Sequence, residues 1–223
     1  MTLQSQTSSV STAQPVELSE LEKKYRMLKE DFASPDECRR LIELLEEHGE
    51  IGEGYGGNPH PHTPNETFGG YSFNMGKGYP GTPGHELGLE LIQRARRQLQ
   101  AHFSLPWLWL DYSQLVFREA TGAGDEHEAE ELSHPWHFDN QSEGVKYRTH
   151  AAILYVNDGF EGGETCFRET EFGPYREIPP KPGKLAGFSV VDNDHAVAKL
   201  RSGRRYVLNM WFSTSWMKFR KHR

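Results

Sequence analysis

Three side chains in this sequence have the types needed to hold a divalent metal, and two of them stand together. In Ser133-His134-Pro135-Trp136-His137-Phe138-Asp139-Asn140, His137 and Asp139 are two residues apart. On a strand, residues i and i+2 face the same side, so both aim at one point while Phe138 turns away into packing. The third ligand has to come from elsewhere. His195, in the polar turn Asp192-Asn193-Asp194-His195 ahead of the last apolar run, is the leading candidate. Two histidines and one carboxylate leave coordination positions open, which suits non-haem Fe(II) meeting a co-substrate and O2. Zinc hydrolases use the same donor types, so the triad alone leaves the metal open. Among the 11 histidines, His134 and His150 are the nearby competitors. His134 precedes a proline and reads better as a structural or loop residue. His60 and His62 read as solvated or hydrogen-bonded loop histidines.

Ten residues after His195 comes Arg205, opening Arg205-Tyr206-Val207-Leu208-Asn209-Met210-Trp211-Phe212. On a strand, Arg205, Val207, Asn209 and Trp211 share one face. If that face lines a barrel interior, the guanidinium is buried and needs a carboxylate. A ligand carboxylate matches, because the planar fork grips both oxygens. The far carboxylate of 2-oxoglutarate is the natural candidate, and Arg204 then points outward into solvent. Tyr155, in Ala151-Ala152-Ile153-Leu154-Tyr155-Val156-Asn157-Asp158, is a second candidate for the same pocket. An interior hydroxyl wants a partner, and a core tyrosine bonded to backbone is the alternative reading.

The elements that must position these residues are legible in outline. Residues 26–33 read as a short strand. Ser34-Pro35-Asp36-Glu37 is a capping box with proline at the first helical position, opening a helix to about His48 that Gly49 stops. Residues 49–66 form a loop and 67–75 a strand. Pro83 opens a second helix to about His102, with Leu87, Leu91, Ile92 and Leu99 on one broad face. From Trp107 onward, short apolar runs alternate with turn residues: 108–118, 135–139, 148–156, 164–168, 184–191 and 203–213. Helices first and a β-rich core after them give an α+β, mainly β, domain whose core is a sandwich or barrel. A disordered tail over 1–17 followed by one domain over 18–223 is the expected division. The loops 52–66 and 121–133 and the segment 168–178 are placed to meet substrate.

Bulk properties exclude several classes. The formal charge of −7 argues against a nucleic-acid partner, which needs a basic stripe. The basic tail Lys218–Arg223 reads as a solvated end. No run approaches the roughly 18 apolar residues of a membrane span. Residues 1–15 lack the basic start and apolar core of a signal peptide, and two cysteines, Cys38 and Cys166, fit a reducing compartment. A cytoplasmic location is the expectation. Nothing in the sequence sets the oligomeric state.

With these motifs in hand, the chain resembles the 2-oxoglutarate oxygenases, specifically the catalytic domain of the prolyl 3-hydroxylase (leprecan) family. The likeness runs from about residue 58 to 214. It is carried by Pro61-His62-Thr63-Pro64-Asn65-Glu66, Tyr112-Ser113-Gln114-Leu115-Val116 and Ser133 to Asn140, then Leu154 to Asp158, Phe160-Glu161-Gly162-Gly163-Glu164 and Arg205 to Trp211. The resemblance implies a double-stranded β-helix (a jelly-roll or cupin-like core) with supporting N-terminal helices. It implies His137, Asp139 and His195 as iron ligands. It places Arg205 and Tyr155 on the C5 carboxylate of 2-oxoglutarate, with Asn209 close by. The implied cofactors are Fe(II), 2-oxoglutarate and O2, with ascorbate as an accessory reductant. The more distant prolyl 4-hydroxylases look similar over the core, but commonly carry lysine at the position of Arg205 and tyrosine at that of Glu119. Aspartate at position 139, where related halogenases have glycine or alanine, favours hydroxylation. Animal leprecan proteins carry a secretory signal, a long N-terminal region and an endoplasmic-reticulum address, none of which is read here, so collagen of the secretory pathway is not the expected substrate.

The expected reaction is hydroxylation of an unactivated C–H bond, of a prolyl or other amino-acid residue, with release of succinate and CO2. The alternative substrate is a free or carrier-bound amino acid or small molecule of specialised metabolism. A reading of another class is a non-catalytic regulator that binds iron or 2-oxoglutarate. The complete triad with Arg205 counts against it.

Overall fold

The Ser34 capping box forms as the sequence requires. In the computed structural model, which describes residues 17–73, 81–121, 132–168 and 174–215, the Glu37 amide donates to the Ser34 hydroxyl at 3.2 Å, and the Ser34 amide donates to the Glu37 carboxylate at 2.7 Å. Helix α1 then runs over Pro35–His48, and α2 over Pro83–His102. Because the box is exposed, its loss removes hydrogen bonds without opening a cavity. Ser34→Ala is expected to cost about 1 kcal/mol, read as a lower urea midpoint with an unchanged slope.

The strands are β1 (Arg26–Lys29), β2 (Glu50–Ile51), β3 (Glu66–Ser72), β4 (Trp109–Ala120), β5 (His134–His137), β6 (His150–Tyr155) and β7 (Glu161–Gly162). They continue with β8 (Thr165–Arg168), β9 (Tyr175–Ile178), β10 (Leu185–Ser189), β11 (Asp194–Val197), β12 (Leu200–Ser202) and β13 (Arg204–Ser213). A seven-stranded sheet has the order β1-β10-β6-β13-β4-β3-β2, a four-stranded sheet the order β5-β11-β8-β9, and β12 pairs with β7. Every pairing is antiparallel. The molecule is mainly β, as expected, and two facing antiparallel sheets of this kind are consistent with a double-stranded β-helix.

Alternation along the central strands assigns each residue a layer. Leu115 and Phe117 of β4, Ala152 and Leu154 of β6, and Leu208, Met210 and Phe212 of β13 pack with Leu41, Leu45, Leu91 and Leu99 of the two helices. The opposite faces of the same strands give Val116, Ala151, Ile153, Tyr155 and Val207, which meet Phe167 and Ile178 of the smaller sheet. The helices therefore close one side of the large sheet, and the functional residues lie between the sheets.

Several local expectations change. The first strand ends at Lys29, and the 49–66 loop contains β2. Strands β7, β9 and β12 are too short, at two to four residues, to show periodicity in the sequence. His195 sits on β11 rather than in the preceding turn, because the turn is completed by Val191-Asp192. Phe138 is 37% exposed instead of packed, since β5 ends at His137 and strand alternation stops there. Residues 1–16 of the expected tail, most of the 121–133 loop, the centre of the 168–178 segment and the basic tail lie outside the described residues. Among the described residues no helix is long and apolar enough to cross a membrane, and both cysteines are free and buried.

Candidate active site

His137 and His195 are direct partners across the β5–β11 ladder. Asp139 lies two residues past His137, in the turn that follows β5, so the chain's bend rather than strand alternation brings it back. One ligand atom from each of His137, Asp139 and His195 lies within 4.8 Å of the others. His137 Nε2 is 3.5 Å from Asp139 Oδ1, and His195 Nε2 is 3.6 Å from Asp139 Oδ2.

The tautomers are fixed from behind. His137 Nδ1 lies 2.8 Å from the Pro135 carbonyl, and His195 Nδ1 lies 3.2 Å from that of Asn193. A carbonyl only accepts, so each Nδ1 carries a proton and Nε2 is the ring atom left free to give up its proton and take a metal. Burial disfavours a charged His137, but the hydrogen-bonded Asp139 carboxylate outweighs it and holds its pKa above the usual imidazole value. Burial lowers that of His195, and Asp139 only partly offsets this. Burial would raise the pKa of Asp139, but His195, His137 and the Trp211 indole together hold it below the usual carboxylate range. At neutral pH Asp139 is an anion facing two imidazoles, the donor set a divalent ion requires.

Trp211 is itself clamped. Tyr112 stacks on it at 5.7 Å and the Arg148 guanidinium lies over it at 4.6 Å, with Arg148 Nε donating to Asp111 at 2.7 Å. On the other side of the triad, His134 stacks between His62, at 3.9 Å, and His137, at 4.1 Å. Burial, with Arg118 and His137 nearby, pushes the His62 pKa down to about 4, and that of His134 is lowered as well, chiefly by burial. Both rings are neutral walls beside the triad. His150, the other competitor, bonds the Thr149 hydroxyl at 2.9 Å.

One cavity is lined by His137, Asp139, His195, Arg205, Asn209 and Trp211. Arg205 is 3% exposed, and among the described residues its buried Nε has no hydrogen-bond partner. Its guanidinium lies 5.6 Å from the centre of the Tyr155 ring. Burial pushes its pKa down to about 10, still cationic at neutral pH. Gly163, at φ +68, lets the arginine stem pass, since a Cβ there would sit 2.8 Å from Arg205 Cδ. An arginine buried this way without its full complement of acceptors fits a site that takes its carboxylate from a ligand. Tyr155 is fully buried, and its hydroxyl donates to Thr165 Oγ1 at 2.7 Å, neither to backbone nor into open cavity. Asn209 faces the cavity between Gln114 and Ile153 on the flanking strands.

Arg204 does not extend freely into solvent. It pairs with Glu119 at 2.6 Å and Glu46 at 2.8 Å and lies over Phe117 at 4.6 Å. Glu119 therefore anchors a neighbouring strand on the outer face. The sequence did not single out Arg118, which lines the cavity beside Arg205 as its register partner on the adjacent strand. Its Nη1 donates to the Ser133 carbonyl at 2.9 Å and pairs with Glu66 at 3.3 Å. The signal was present, since Gln114, Val116 and Arg118 alternate on one face of β4. An arginine with a carboxylate of its own has no ligand signature, however.

Residues 127–213 match the model of the 2OG-Fe(II) oxygenase superfamily. Human prolyl 3-hydroxylase 2 is 32% identical over 208 residues, which cover 84% of this chain and 29% of that protein. The chain thus spans less than a third of the length of the curated relatives it matches. Among solved structures, a Pseudomonas putida prolyl-4-hydroxylase superposes with a TM-score of 0.60 at 17% identity, covering 88% of this chain and 96% of that one. A Trichoplax adhaerens prolyl hydroxylase in complex with a hypoxia inducible factor oxygen degradation domain peptide fragment gives a TM-score of 0.59 at 14% identity, covering 87% and 86%. At these identities the solved structures speak to fold alone, and they agree on it. From the matched segment and the prolyl 3-hydroxylase relatives, this chain carries a 2OG-Fe(II) oxygenase domain.

Proposed function

We propose that the chain is an Fe(II)- and 2-oxoglutarate-dependent hydroxylase that acts on an unactivated C–H bond of a prolyl or other amino-acid residue. The observation that carries this reading is one cavity holding both the convergent His137, Asp139 and His195 and the under-bonded cation of Arg205. In this reading His137, Asp139 and His195 hold the metal, Arg205 takes the C5 carboxylate of 2-oxoglutarate, and Asn209 lies close by on the same strand. Bound iron and 2-oxoglutarate supply the oxidising chemistry: one O2 is divided between succinate and the hydroxylated product, with CO2 released.

The chain's own residues orient and shield. The Nδ1 bonds of the two histidines hold both Nε2 atoms in place before the metal arrives. The Arg205 fork fixes the far end of the co-substrate and so sets where its keto-acid end lies. Val116, Ile153 and Phe188 line the cavity with apolar surface that excludes water. Tyr55, a residue of the 52–66 loop, lines the cavity and is 39% exposed, so that loop is placed to meet substrate. A peptide substrate is favoured because the relatives are prolyl 3-hydroxylases.

The test is succinate formation by anaerobically Fe(II)-loaded protein given 2-oxoglutarate, ascorbate and O2, with and without prolyl peptides and free amino acids. Succinate made in step with a hydroxylated peptide is the expected result. Coupling to a free amino acid instead moves the substrate to specialised metabolism. Absence of succinate from protein that holds Fe(II) favours the binding-only regulator.

A further inference from the structure

We infer that Asn193 and Arg26 are positioning residues for His195, so that the turn before β11 and the first residue of β1 form part of the metal site. The inference rests on the metal-binding reading given above. His195 depends on the Asn193 carbonyl for its tautomer and ring angle, so whatever fixes Asn193 fixes His195. Asn193 is 0% exposed, and its side chain is held from three directions. Its Nδ2 donates to the Ser189 carbonyl at 2.7 Å and to that of Tyr25 at 3.2 Å, and its Oδ1 accepts from Arg26 Nε at 2.5 Å. Both amide donors and one acceptor position are thereby engaged.

Arg26 is held in turn. Its Nη1 pairs with Glu22 at 3.3 Å, and its guanidinium lies 4.9 Å from the centre of the Phe167 ring. Phe167 and Phe188 lie 5.9 and 4.9 Å from the His195 ring and 5.0 Å from each other. Glu22 accepts from the Ser19 amide at 2.8 Å and pairs with Arg176 of β9 at 3.2 Å. Pairing of β1 with β10 does not need this arrangement, because four backbone registers from Arg26 to Lys29 already join them. A buried guanidinium is costly unless its bonds are made. Here one of them is made to Asn193, two residues ahead of the ligand.

The test is Co(II) titration of the metal-free full chain, without 2-oxoglutarate, read by visible absorption and by competition with a chelator. Arg26→Met keeps a long side chain but removes the donor to Asn193. It is expected to weaken Co(II) binding about tenfold or more, the scale typical of groups that orient a metal ligand, and to change the Co(II) band shape. Arg204→Met, which breaks the more exposed pairs with Glu46 and Glu119 remote from His195, is expected to lower thermal stability slightly while leaving the affinity and the band unchanged. A folded Arg26→Met protein with wild-type affinity and band overturns the inference. Should Arg26→Met fail to fold by circular dichroism, Glu22→Gln reads the same chain of contacts with no change in size. It is expected to weaken binding severalfold, and wild-type affinity there overturns the inference equally. If wild-type protein takes up no Co(II), or His195→Ala takes it up undiminished, the metal reading itself fails. Unchanged Arg26→Met beside a wild type that binds removes only the role assigned to Arg26 and Asn193.

Discussion

His137→Ala protein is expected to bind Fe(II) at least roughly a hundredfold more weakly than wild type and to make no detectable succinate. The scale is that of structural zinc sites, where about 10–16 kcal/mol shared over four ligands is roughly 3 kcal/mol each, more than a hundredfold in affinity per ligand. The loss is not repaired locally. His134 is the nearest spare imidazole, but its ring atoms are not among those that converge with Asp139 and His195, and the His62 stack still holds it when His137 is gone. His134→Ala in the same anaerobic equilibrium dialysis is therefore expected to stay within a few-fold of wild type. Full Fe(II) affinity in His137→Ala, or loss confined to His134→Ala, would mean the ligands are misassigned. The raised pKa of His137 adds a sign that can be checked. Metal must displace its proton, so affinity falls as pH drops through that raised value, starting from above the usual imidazole range.

The site was more legible in the sequence than the scaffold around it, for a physical reason. His137, Asp139 and Arg205 could be singled out by residue type and spacing, and all three line one cavity. The alternation that places Arg205, Asn209 and Trp211 on the cavity face was readable because β13 is ten residues long. Helix α1 was readable from its capping box, and α1 and α2 start at the prolines that mark them. What failed were features that depend on partners distant in sequence. The short strands β7, β9 and β12 exist only because a neighbour pairs with them. The β5 bulge against β11, which puts His134 beside His137 on the cavity side, has no local signature. Glu119 and Arg204 look like solvated charges until the β4–β13 register sets them opposite each other. Tyr155 was placed correctly inside, but its choice of Thr165 depends on β8, which the sequence does not bring near.

Arg205→Lys is expected to raise the 2-oxoglutarate concentration for half-maximal succinate formation by roughly ten- to a hundredfold, with Fe(II) affinity unchanged. A charge-assisted hydrogen bond contributes about 1.5–3 kcal/mol, and each 1.4 kcal/mol is about tenfold. Lysine keeps the charge but loses the fork, so one of two parallel bonds to the C5 carboxylate goes. The prolyl 4-hydroxylases that this chain resembles commonly carry lysine at the matching position, so lysine there is not intrinsically incompatible with the chemistry. In this chain the surroundings do not compensate. At the position of Glu119, where those enzymes commonly carry tyrosine, this chain has a carboxylate that faces away and holds Arg204. The Tyr155 hydroxyl is committed to Thr165, and Arg118 is committed to Glu66 and Ser133. The shorter, more strongly hydrated ammonium is also left in a groove that Gly163 opens for the arginine stem. An unchanged half-saturation point would mean that Arg205 is not the co-substrate clamp. A parallel loss of Fe(II) affinity would mean instead that the substitution disturbs the metal ligands through β13. Only a shift in 2-oxoglutarate dependence alone ties the buried, under-bonded guanidinium to the acid it is proposed to hold.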